Sequence, residues 1–303
     1  MTSIPRFRIL LAVSALAVAL SAGASPSTGA TPFHSDRFQV TVQGDGPDVV
    51  LVHGLNSSPR VWQGLVQAMP GHRFHLIGLR GFGGLAPGAN RAVPLLPELV
   101  NELHRYIASE HLVRPVFIGH SLGGELGVAL AEQDPQDLGA LVIMDAPPFL
   151  GAVMAPPGAS ADSLRTLAAQ LEQRELQAGD ADWHRQGEAE VAGMVHDAGA
   201  RAPVLEDWLR SDRVVSAHAF KELMLLDLRP DLPRIACRTA LLYVKPGMPG
   251  ITDEQIDGFY REAYKGVPGI VLRRVSDSGH FLMLDQPERV FGEVSRFLED
   301  GGR

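Results

Sequence analysis

The chain runs to 303 residues, 45% of them apolar, which is enough to bury a full core as one large domain or two modest ones. A formal charge of −8, with only 27 Lys and Arg, leaves no clustered basic surface and argues against a nucleic-acid partner. Cys237 is the single cysteine, so no intrachain disulfide can form and the residue reads as a small buried hydrophobe.

In chain order, Arg6 and Arg8 precede an apolar and small-residue run from Ile9 to Leu20, and Ala22-Gly23-Ala24 fits a cleavage site. Residues 1–24 are therefore expected to be a cleavable signal peptide, with the mature chain starting near Ser25 in the periplasm or outside the cell. The run is shorter than the ~20 residues of a bilayer-spanning helix, so no stable membrane insertion is expected after cleavage. Residues 25–35, rich in Ser, Thr, Pro and Ala, read as a disordered spacer.

Beyond the spacer, short β-branched runs alternate with helical periods, the pattern of a parallel sheet with crossover helices, so the fold class is α/β. Strands are expected at Phe38 to Val42, Val49 to Val52, Phe74 to Ile77, Val116 to Ile118, Ala140 to Met144, Thr239 to Val244 and Ile270 to Val275. Helical spacing marks Leu95 to Ala108, Leu122 to Ala131 and Glu288 to Leu298. The alternation lapses between Pro147 and Pro230, where helical patterns continue without a strand. Residues 147–230 are thus expected to form a helical cap between a first core part, 36–146, and a second, 231–303. Its Val153, Met154, Trp183, Met194, Trp208 and Met224 are candidates either to line a pocket or to hold the cap together.

Within this rhythm Gly119-His120-Ser121-Leu122-Gly123 falls between the apolar run ending at Ile118 and the helix starting at Leu122. A serine on so sharp a strand-to-helix turn projects its hydroxyl at the top of the sheet, and the Leu122 N–H lies at a helix N-terminus that favours an anionic oxygen. His280, in a Gly-flanked turn after the last expected strand, can accept and return the hydroxyl proton. His53-Gly54-Leu55 follows an earlier strand, where the Leu55 N–H could pair with that of Leu122 as an oxyanion hole. His120 and His53 themselves read as packing and turn residues.

Taken together, the His-Gly turn at 53–54, the elbow at 119–123 and the late His280 resemble the α/β-hydrolase superfamily, in its serine-nucleophile branch with a helical cap. The resemblance spans roughly residues 38–300 and implies a mostly parallel eight-stranded sheet with the catalytic triad on loops at its C-terminal edge. It also implies an acid shortly after the penultimate strand. Here Leu241 to Val244 is followed by Lys245-Pro246-Gly247-Met248-Pro249-Gly250, without a carboxylate. Two acids are candidates. Asp145 ends the strand after the elbow's helix, while Asp253 comes later but falls in the first turn of a helix capped by Thr252 and Gln255.

The implied activity is that of an exported serine hydrolase without cofactor or metal, a carboxylesterase before a lactonase, thioesterase, amidase or aminopeptidase, acting on a small hydrophobic ester-like substrate. A non-catalytic binding protein of the same fold and a peroxide-dependent haloperoxidase-like activity stand as alternatives. Arg80-Gly81-Phe82-Gly83-Gly84, after the third strand, is expected either beside the site's mouth or as a plain surface turn.

Overall fold

The computed structural model describes residues 33–299 apart from 157, 248 and 249, so the expected signal peptide and most of the spacer lie outside the described residues. Seven strands form one sheet: β1 (Phe38–Gln43), β2 (Asp48–Val52), β3 (Arg73–Leu79), β4 (Val116–His120), β5 (Ala140–Met144), β6 (Arg238–Tyr243) and β7 (Val271–Arg274). Their spatial order is β1-β3-β2-β4-β5-β6-β7, with β1 antiparallel to β3 and every other pair parallel. The resemblance implied eight strands, and the described residues supply seven. Among the described residues only 33–37 precede β1, too few for a further pairing strand.

The helices are α1 (Gln63–Ala68), α2 (Leu96–Ser109), α3 (Leu122–Gln133), α4 (Gly151–Met154), α5 (Ala161–Gln177), α6 (Asp180–Met194), α7 (Arg201–Leu209), α8 (Arg213–Leu225), α9 (Asp253–Ala263), α10 (Leu282–Asp285) and α11 (Pro287–Glu299). Alternate strand residues serve opposite faces of the sheet. Val50, Val52, Phe117, Leu141, Ile143 and Leu241 pack with α2, α3 and α9. Val49, Leu51, Ile118, Val142, Met144 and Leu242 pack with α1 and α11. Burial on both faces is why these strands are continuous apolar runs without a polar alternation. Among the described residues no helix is long and apolar enough to cross a membrane.

Between β5 and β6 the described residues form the helices α4 to α8 and no strand, and these helices are fastened to the core by polar contacts. The Glu222 carboxylate of α8 accepts from the N–H groups of Leu95 (2.8 and 3.0 Å) and Leu96 (2.7 Å) at the start of α2, where the helix dipole favours an anion. Asp207 of α7, 1% exposed, accepts from the Ser58 hydroxyl at 2.7 Å and pairs with Arg60. The glycine loop after β3 is the seat for these helices. Gly81 C=O accepts from Asp212 N–H at 2.7 Å and Gly83 N–H donates to Ser211 Oγ at 3.1 Å. A Cβ at Gly81 would lie 2.7 Å from a Val215 methyl. The loop is thus a docking surface for α7 and α8, and its Phe82 ring meets that of His53 with centroids 6.3 Å apart.

Candidate active site

Ser121 has φ 52° and ψ −122°, a conformation that side chains rarely adopt and that the parallel ladder holds in place. Its N–H donates to Met144 C=O at 2.9 Å, and its own C=O accepts from Gly124 at 2.7 Å and Glu125 at 3.1 Å, which starts α3. The flanking glycines are sterically required. A Cβ at Gly119 would stand 2.1 Å from the Gly123 carbonyl oxygen, and one at Gly123 would stand 2.2 Å from that of Val52. Leu122, the first residue of α3, has an N–H that the helix itself cannot use.

His53 aligns the second donor. Its ring is fully buried, and burial pushes its pKa down to about 4, so the imidazole is neutral. Its Nε2 accepts from Leu79 N–H at 3.1 Å, which leaves the proton on Nδ1 to donate to Gly54 C=O at 2.8 Å. In a trans peptide the N–H points opposite to the C=O, so holding the Gly54 carbonyl toward His53 turns the Leu55 N–H away from it. Gly54 itself lies against the elbow, since a Cβ there would be 3.0 Å from both Ser121 Cβ and His120 Nδ1.

Asp145 follows β5 directly, and its N–H extends the β5–β6 ladder to Leu242 C=O at 2.8 Å. Its backbone then turns at φ 49°, a left-handed conformation that Asp tolerates better than most residues, and the carboxylate swings over the sheet edge. Asp145 Oδ2 accepts from His280 Nδ1 at 2.6 Å, while Oδ1 accepts from Val244 N–H at 3.0 Å and the Tyr260 hydroxyl at 3.2 Å. With Nδ1 carrying the proton, His280 Nε2 is the free basic nitrogen. The ring lies beside the elbow, with its centroid 4.6 Å from that of His120, the residue before Ser121. The His120 ring is fully buried, its pKa lowered well below normal by burial and then by His280, and it packs as the sequence suggested, donating from Nε2 to His280 C=O at 3.0 Å.

Asp253, the other candidate acid, is in the first turn of α9 with a complete capping box. It pairs with Lys245 at 3.0 Å and Arg274 at 2.8 Å and does not meet His280. The fold thus brings Ser121, His280, Asp145, Leu55 and Leu122 to one edge of the sheet and leaves Asp253 outside. Tyr260 and Asp285 are partners that sequence reasoning missed. Tyr260 of α9 and Tyr264, which caps the end of that helix, stand four residues apart, and the Tyr264 hydroxyl donates to Ala146 C=O at 2.8 Å, bracing the Asp145 turn. Asp285 accepts from Gly279 N–H at 2.7 Å and from the N–H groups of His196 (3.1 Å) and Asp197 (2.8 Å), tying the histidine loop to the exit of α6.

The apolar cap residues are distributed unevenly. Trp183 and Trp208 stack with centroids 5.2 Å apart and are buried, as is Met224, whereas Val153 and Met154 are half exposed. Trp183, Trp208 and Met224 thus pack against neighbours within 147–230, whereas the Met194 C=O accepts from Phe281 N–H at 3.2 Å on the histidine loop. At the opposite edge of the sheet, past the C-terminus of α3, His104, Asp134 and Asp137 bring three ligand atoms within 4.8 Å of one another, a surface grouping that their sequence spacing hides.

A profile of the alpha/beta hydrolase family matches residues 49–293, and the chain belongs to that family. Pimeloyl-(acyl-carrier protein) methyl ester esterase of Aeromonas hydrophila is 36% identical over 107 residues, 35% of this chain and 40% of that protein. The chain thus spans well under half the length of that relative. An uncharacterized protein of Mycobacterium bovis is 25% identical over 286 residues, 91% of this chain and 82% of its own length. Among solved structures, the enol-lactonase of Burkholderia xenovorans superposes with a TM-score of 0.70 at 17% identity, covering 86% of this chain and 96% of the other. A thermophilic esterase from Thermogutta terrifontis does so at 0.67 and 20% identity, covering 87% and 93%. At such identities the likeness of structure establishes the fold.

Proposed function

We propose that the chain is a serine hydrolase that cleaves a carboxylic ester through an acyl-enzyme on Ser121. The observation that carries this reading is the 2.6 Å hydrogen bond from His280 Nδ1 to Asp145, which leaves Nε2 as a base beside the elbow. In the first step His280 Nε2 takes the Ser121 proton as Oγ attacks the ester carbonyl, and the oxygen that gains the charge lies on the Leu55 and Leu122 N–H groups. The C–O bond to the alcohol then breaks, and the imidazolium returns its proton to the departing alkoxide. Water, deprotonated by His280, attacks the acyl-enzyme, releasing the acid and regenerating Ser121. Asp145 holds the ring and stabilises its charged form without taking the proton. The non-catalytic alternative draws its support from the missing acid after β6, whereas the bond from His280 to Asp145, just after β5, favours the catalytic reading.

A fluorophosphonate probe is expected to label the folded protein and not Ser121→Ala. Lack of labelling of the folded wild type overturns the reading. A panel of ester, lactone, thioester and peptide substrates then separates a carboxylesterase from a lactonase, thioesterase or aminopeptidase, which use the same groups. Export rests on residues 1–24 alone, and the N-terminal residue of the protein purified from its native host decides it, with a start near Ser25 expected.

A further inference from the structure

The Asp145 carboxylate has two oxygens, and only one of them serves His280. A carboxylate turns easily about its Cβ–Cγ bond, so its own rotamer preference fixes neither which oxygen faces the ring nor at what angle. That task falls to the donors on Oδ1. One is Val244 N–H at 3.0 Å, a backbone group just past the end of β6. The other is the Tyr260 hydroxyl at 3.2 Å, which reaches in from α9. A carboxylate oxygen offers about two lone-pair sites, so these donors fill Oδ1 and leave Oδ2 to His280 Nδ1 at 2.6 Å. With Val244 alone, the plane of the carboxylate could tilt about a single contact.

The surroundings of Tyr260 hold its hydroxyl to this one contact. The residue is buried, and among the described residues its hydroxyl meets no partner but Asp145. The Tyr243 ring lies against the Tyr260 ring with centroids 4.5 Å apart, and Phe259 meets it edge-on at 5.1 Å. Tyr243 is itself pinned at its far end, where its hydroxyl donates to Asp257 Oδ1 at 3.0 Å and Arg274 Nε donates to the same oxygen at 2.8 Å. Tyr264, at the end of α9, donates to Ala146 C=O at 2.8 Å, so two hydroxyls reach the consecutive residues 145 and 146. The two differ in kind. Tyr264 meets a neutral backbone carbonyl, whereas Tyr260 meets an oxygen whose charge is delocalised onto the one that His280 uses, and hydrogen bonds to charged acceptors are the stronger class.

We infer that Tyr260 is a positioning residue for the proposed reaction: its hydroxyl orients the Asp145 carboxylate so that Oδ2 stays on His280 Nδ1 while the imidazole takes and returns the Ser121 proton. The inference rests on the serine-hydrolase reading. It is tested by the rate at which excess fluorophosphonate labels Ser121, together with kcat and KM on any ester that turns over. With the probe in excess the rate constant does not depend on how much protein is folded, and partial misfolding lowers only the amplitude. Tyr260→Phe keeps the ring and its packing. It is expected to lower the labelling rate constant, and kcat where an ester turns over, by about tenfold with KM nearly unchanged. Tyr264→Phe removes a buried hydroxyl from the end of the same helix and gives the size of a purely structural effect. Because Tyr260 acts through Asp145, its substitution is expected to add no further loss in an Asp145→Asn background, whereas independent effects multiply. A wild-type rate in Tyr260→Phe, a loss no greater than that of Tyr264→Phe, or a multiplied loss in the double variant overturns the inference, while labelling of the wild type leaves the hydrolase reading standing. An unlabelled wild type overturns both.

Discussion

Asp145 combines two demands that few side chains meet, a left-handed backbone at φ 49° and a carboxylate with both oxygens engaged. Asn satisfies the first equally well, and its amide oxygen can keep the bonds from Val244 N–H and Tyr260. Its NH₂ would then face His280 Nδ1 and force the opposite tautomer. Asp145→Asn is therefore expected to lower kcat on the order of 10³–10⁴-fold with a nearly unchanged melting temperature, read by steady-state kinetics beside calorimetry. Near-native turnover would remove Asp145 from the mechanism. The sequence presented Asp145 and Asp253 side by side because chain position says which strand an acid follows but not which way its backbone turns. Ser121 and His280 were legible because glycines must flank a strained elbow and mark it. Tyr260 was not legible, since nothing local distinguishes a helical Tyr that meets a distant carboxylate from one that packs in the core.

At the scale of elements, the attachment of α8 to α2 depends on Glu222 filling the N-terminal donors at Leu95 and Leu96. Glu222→Gln keeps one acceptor but loses the charge opposite the helix dipole. It is expected to cost about 0.5–1 kcal/mol in urea unfolding, and Glu222→Ala about 1–2 kcal/mol. An unchanged urea midpoint in both variants would refute the anchoring role. All seven strands drawn from the sequence are present, because residues buried on both faces of a parallel sheet leave an unbroken β-branched signature. The helices of 147–230 were foreseen as a group, but not their seat on the Gly81 to Gly84 loop. That contact joins segments more than a hundred residues apart and has no local pattern.

Over the whole molecule, stability is expected to fall with rising pH through the neutral range because α3 buries two carboxyls. Glu132, 6% exposed, is pushed up to about 8 by burial and then by Asp231, and burial raises Glu125 well above its usual value. Both are protonated in the folded protein where an unfolded chain would ionise them. Their contribution is thus complete below about 4.5, the ordinary Glu value, and for Glu132 declines as pH rises until it is gone above about 8. Glu132→Gln keeps the shape without the ionisation. Its melting temperature is expected to exceed that of wild type at pH 9, by about 2–4 °C for each kcal/mol recovered, with the gap closing near pH 4. A gap independent of pH would show that Glu132 does not titrate in this window. The position of Asp145 just after β5 also divides the candidate site unequally along the chain. Leu55, Ser121, Leu122 and Asp145 precede α4, and only His280 follows α8. A chain cut once between those helices would yield one fragment holding every candidate residue but His280 and another holding His280 alone. With the proposed ester hydrolysis as the signal, recovered turnover would report the reunion of the two pieces, a design for a fragment-complementation reporter.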